Sequence, residues 1–118
     1  MDEPDPVWTR TTSIQVVDGS VLWSAYLNEI PVIVERDQAA INELRDSLRV
    51  VSTTEEIALM TPGRPTFRLH DDDQAVLAAY TLIHPGFVRS TQWKLDARLV
   101  DAWAPGRWLE ARGQVPRE

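Results

Sequence analysis

The chain has 118 residues, 43% of them apolar and 25% charged, which fits one globular domain large enough to bury a core without disulfides or metal. Its formal net charge of −6 argues against nucleic acid and anionic membrane surfaces, which need clustered Lys and Arg, and suits a basic partner. The absence of cysteine excludes disulfide scaffolds, thiolate zinc sites and Cys nucleophiles.

Residues 1–10 read as a mobile lead, because Met1-Asp2-Glu3-Pro4-Asp5-Pro6 is acidic and proline-rich. The same stretch lacks the basic start and apolar run of a signal peptide, and no apolar run in the chain approaches the roughly 18 residues of a membrane span. Both points favour the cytoplasm. Residues 11–113 read as a single α+β domain and 114–118 as a tail.

Residues 12–17 are rich in β-branched side chains and predict a strand, followed by a turn at Asp18-Gly19-Ser20. Residues 21–27 predict a second strand, with helix as the alternative, and 31–34 a short extended piece. The clearest helix begins at Asp37, whose carboxylate can accept the free N–H groups of the first turn. Ile41, Leu44 and Leu48 recur at helical spacing, and the helix is expected to end near Val50.

The second half predicts a β-meander with strands over 53–60, 66–70, 75–83 and 87–93. Turns fall at Thr61-Pro62-Gly63-Arg64, at Asp71-Asp72-Asp73-Gln74 and at Pro85-Gly86. A last helix over 104–112 has Pro105 in its first turn and Gly113 to end it. The resulting architecture is α+β: N-terminal strands, then an antiparallel meander with two helices packed on one face.

Each candidate for chemistry has a plainer structural counterpart. His70 and His84 stand at opposite ends of the meander, about eight residues or roughly 26 Å apart, too far to share a metal. The Asp71-Asp72-Asp73 run lacks the Gly and distal Glu of a calcium loop and reads as a solvated turn. Ser90, His84 and Asp96 supply the residue types of a hydrolase triad, but no Gly-x-Ser-x-Gly elbow accompanies them. The five glycines form no phosphate loop. No metal or cofactor is expected.

Two features point toward binding. Trp93, Trp103 and Trp108 are expected to pack the last helix onto the sheet, whereas Trp8 or Trp23 could remain exposed and anchor a partner. A two-residue turn at Pro85-Gly86 would set Leu82 opposite Arg89, placing Arg68, Tyr80 and Arg89 on one sheet face with His84 at its mouth. Such a face of Tyr and Arg suits a protein interface. Arg89 must then either reach water or meet an acid such as Asp96.

The segment 60–113 also carries a recognisable pattern. It runs through Met60-Thr61-Pro62-Gly63, Phe67-Arg68-Leu69, Leu82-Ile83-His84, Val88-Arg89, Trp93 and Trp108-Leu109 before Gly113. This resembles a group of small uncharacterised bacterial proteins with a glycine turn, an alternating hairpin, a Leu-x-His strand end, an Arg-x-x-x-Trp return and a Trp-Leu closing helix. An Arg-dominated basic set, with Lys94 the single Lys, suits a GC-rich bacterial genome. Members of the group often carry a Cys before the glycine turn and a second His after the first. Here those places hold Ala58-Leu59-Met60 and Pro85. The resemblance brings no activity with it. The expectation is a non-catalytic protein-binding module, comparable in size and charge to immunity, adaptor or chaperone proteins. The alternative is a small enzyme or ligand-binding domain using His84, Arg89 and Tyr80.

Overall fold

The computed structural model describes residues 6–17, 33–51, 65–83, 86–91 and 96–113. Within them, helix α1 (Pro6–Arg10) leads into strand β1 (Ser13–Val17). Strand β2 (Ile33–Glu35) and helix α2 (Gln38–Ser47) follow. Strands β3 (Thr66–His70), β4 (Val76–Ile83), β5 (Phe87–Ser90) and β6 (Ala97–Arg98) precede helix α3 (Ala104–Glu110). The described strands form an antiparallel sheet in the order β2-β1-β3-β4-β5-β6, so the protein is α+β. The expected strands at 21–27 and 53–60 and the turns at 18–20 and 61–64 lie outside the described residues.

Helix α2 begins as its sequence dictates. The Asp37 carboxylate accepts the Ala40 N–H at 3.0 Å, and Ile41, Leu44 and Leu48 are buried. It stops at Ser47, short of the expected Val50. The reason is that residues 49–51 join the sheet edge: Val50 bridges Leu99, and hydrogen bonds run from Val51 N to Arg98 O and from Val100 N to Arg49 O. In α3, Pro105 occupies the first turn, and Gly113, with φ +83°, follows the helix in the left-handed region that suits glycine.

Residues paired across the ladder share a face. One face presents Ile14, Val16, Phe67, Leu69, Ala78, Tyr80 and Val88, which form the core with Ile41 and Leu44 of α2 and Trp108 and Leu109 of α3. The Trp108 ring meets Phe67 edge-on at 5.9 Å between centroids, and its indole N–H donates to Ala40 O at 2.9 Å. One aromatic residue thus holds α3 to both the sheet and α2.

Two tryptophans stand otherwise than the sequence suggests. Residues 6–10 form α1, and Trp8, a candidate exposed anchor, is buried against Tyr80 with ring centroids 5.5 Å apart. A Trp has more apolar area to hide than a neighbouring proline-rich stretch can keep in water. Trp103, expected to pack on the sheet, is 67% exposed. It stands five residues before Trp108, which on a helix is about 140° around the axis, so both cannot face the core.

Candidate functional site

The sequence predicts a site on one sheet face, made of Arg68, Tyr80 and Arg89 with His84 beside it. The ladder divides that set. Ile83 pairs with Phe87, Thr81 with Arg89 and Tyr80 with Ser90. Three residues therefore separate the paired strand ends, where the sequence suggested two. Gly86 closes this loop with φ +125°, and its N–H donates to Ile83 O at 3.2 Å. The one-residue change turns Arg89 away from Tyr80. Tyr80 lies on the core face against Trp8, while Arg68 and Arg89 share the opposite face with Gln15, Thr66 and Thr81. His84 lies outside the described residues, as do Trp23 and Trp93.

That opposite face is buried as well. Arg68 is 4% exposed and donates through Nη2 to Gln15 Oε1 at 2.6 Å. The hydroxyls of Thr66 and Thr81 meet at 2.6 Å. Arg89 grips Asp96 with two parallel hydrogen bonds, Nε to Oδ1 at 2.9 Å and Nη2 to Oδ2 at 3.0 Å. Of the two outcomes open to Arg89, the structure shows the ion pair. Ser90 meanwhile pairs opposite Tyr80 on the core face.

His70 and Ser13 face each other across β1 and β3 on this buried side. The ring nitrogen Nδ1 of His70 donates to Gln74 O, a carbonyl that can only accept, at 3.1 Å. Nε2 and Ser13 Oγ are both shut off from solvent and neither makes a hydrogen bond among the described residues. In this conformation the pair is closed to any substrate. The neighbouring loop is equally committed to structure. Asp71 Oδ1 accepts the N–H groups of Asp73 and Ala75, at 2.9 and 3.0 Å, so the acidic run is a carboxylate-capped turn. Among the described residues no group of His, Asp or Glu is arranged to hold a metal ion. None of the described helices is long and apolar enough to cross a membrane.

Accessible surface chemistry is concentrated elsewhere. Five large apolar side chains are exposed among the described residues, and Val51, Val100 and Trp103 are three of them. The bridge between Val50 and Leu99 turns Arg49, Val51, Arg98 and Val100 outward on adjoining segments. Trp103 follows in the turn that starts α3, where its backbone N–H donates to Asp101 Oδ1 at 2.9 Å. Arg107 pairs with the other oxygen of Asp101, and chiefly this hydrogen bond holds the Asp101 carboxyl below the usual carboxylate range.

Beside these residues lies an open groove of about 460 Å³ between α2 and α3, with Ala104, Trp108 and Ala111 among its lining residues. At its far side Arg112 lies over the Trp108 ring, 3.9 Å from the centroid, and donates to Glu35 Oε1 at 2.9 Å. No protein-family model matches the chain, and no curated protein and no solved structure matches it either. The sequence signal for the exposed surface was the angular offset of Trp103 from the stripe of Pro105, Trp108 and Leu109, three residues that are all buried.

Proposed function

We propose that the chain is a protein-binding module whose contact surface is formed by residues 49–51 and 98–107. The observation that carries this reading is the gathering of Trp103, Val100 and Val51, at 67%, 63% and 40% exposure, on adjoining segments that also bear Arg49, Arg98 and Arg107. Trp and Arg are the side chains that most often dominate interface energetics, and an exposed apolar cluster rimmed by charge marks contact surfaces. On the buried face the guanidinium of Arg68 reaches Gln15 and that of Arg89 reaches Asp96, so both are engaged inside the fold and neither adds to this surface.

A photoreactive side chain placed at position 103 tests the proposal in cells of the native host, with position 72 on the exposed hairpin loop as control. Discrete protein adducts from position 103 and none from 72 are expected. Equal labelling from both positions removes the surface from consideration.

A further inference from the structure

We propose that the partner of this surface is a second copy of the chain, docked about a two-fold axis at the α2–α3 groove. The inference rests on the protein-binding reading above and names the partner. The whole chain carries 18 acidic and 12 basic residues, so most approaches of two copies are repulsive. The groove is lined by Glu43, Asp46 and Asp101 on the acidic side and Arg49, Arg107 and Arg112 on the basic side, and is locally neutral. Two copies can meet there without the repulsion that their net charge imposes elsewhere.

Four of these six groups are already engaged within the chain: Asp46 with Arg45, Arg107 with Asp101, and Arg112 with Glu35. Glu43 and Arg49 remain, and among the described residues neither side chain makes a hydrogen bond or ion pair. An acid and a base left over on one rim are the requirement of an isologous contact, in which residue i meets j and j meets i. The two-fold sets Glu43 of each copy against Arg49 of the other. Between these charges the groove presents apolar Val100, Ala104 and Ala111, and the exposed Trp103 at the start of α3 supplies the large apolar side chain that such a groove receives. A one-signed partner, acidic or basic, would leave either Glu43 or Arg49 facing its own charge.

Sedimentation equilibrium on the full chain tests the pairing through charge reversal. Wild type is expected to dimerise, and Glu43→Arg and Arg49→Glu are each expected to weaken the dimer by about tenfold or more, since each sets like charges opposite. An equimolar mixture of the two variants is expected to recover dimer, because both contacts of the mixed pair again join opposite charges. In one the introduced arginine meets the introduced glutamate, and in the other the native Arg49 meets the native Glu43. Both sites are on the surface, and near-ultraviolet circular dichroism confirms that each variant keeps its fold. A monomeric wild type overturns the dimer, and so does a mixture that fails to recover it. If residue 103 still cross-links to another protein in that case, the binding surface stands with a different partner. If it cross-links to nothing, both readings fall.

Discussion

Arg89 and Asp96 show what a buried charge demands. Their side chains are 12% and 5% exposed, so water solvates neither well, and the parallel hydrogen bonds replace that solvation. Removing the guanidinium leaves a carboxylate inside the protein without its counter-charge. Arg89→Ala is expected to lower unfolding free energy in urea titrations by about 3 kcal/mol, as breaking buried pairs does. Replacing both partners, Arg89→Met with Asp96→Leu, should recover most of that loss. A change below about 0.5 kcal/mol for Arg89→Ala would place the residue at the surface. Glu35 makes a second, pH-dependent case. The Asp37 N–H, followed by Arg112, holds its carboxyl below the ordinary value of 4.5. A lowered carboxyl stabilises the fold while ionised, so its contribution is whole above pH 4.5 and disappears as pH falls through the folded-state value. Glu35→Gln should therefore be less stable than wild type at neutral pH, and the two should converge in acid. Urea midpoints measured across that range check this, and curves that stay parallel would rule Glu35 out as the titrating group.

At the scale of elements, α2 and α3 are joined through Trp108. Trp108→Phe keeps most of the ring but loses the indole hydrogen bond to Ala40 O, and is expected to cost about 1–2 kcal/mol, whereas Leu44→Ala should cost about 2–5. Both are read in denaturant titrations, and values below about 0.5 kcal/mol would mean that the helix faces are wrongly drawn. The β4–β5 hairpin turns on Gly86. A Cβ there would sit 2.8 Å from Ala102 Cβ, on a backbone at φ +125° that side chains resist. Gly86→Ala should cost about 1–3 kcal/mol, and Ala102→Gly should relieve only the contact portion in a thermal melt. Helix starts and strand alternation were legible because they are local: Asp37 caps α2, and residues 66–70 form β3 where alternation places it. The hairpin register was not. Pro85-Gly86 suits a two-residue turn as well as the last two positions of a three-residue loop. The choice depends on Leu99 N–H reaching Gly86 O at 2.8 Å and on Ala102 packing beside the glycine. Those partners are distant enough in sequence to escape local pattern, and with the register went the predicted placement of Tyr80 and Arg89 on one face.

Across the whole molecule, the sheet places β1 between β2 and β3, so a strand near the N-terminus is an interior one. Its partners on β3 lie about fifty residues away, as in Ile14 with Leu69 and Val16 with Phe67. Alternation can mark β1 as a strand, but its neighbours are selected only when both faces find cover. The same long-range closure brings α1 (residues 6–10) against β3. Trp8 is 7% exposed, its ring tilted against Tyr80, and the turn after it is fixed by Thr11 Oγ1 donating to Val7 O at 2.7 Å. Deleting residues 1–10 exposes Tyr80 and the adjoining core while leaving every β1 ladder bond in place. The truncated chain is therefore expected to fold, but with a loss of about 3 kcal/mol, the cost typical of removing a buried aromatic side chain. For a domain of this size that corresponds to a fall in Tm of about 10 °C. Trp8→Ala in the full chain should reproduce most of the fall, because the apolar ring carries the effect, whereas Arg10→Ala should leave Tm nearly unchanged, its contact with Asp71 being 3.9 Å long and its side chain 65% exposed. A truncated chain melting within about 2 °C of wild type would show that α1 contributes no core contact.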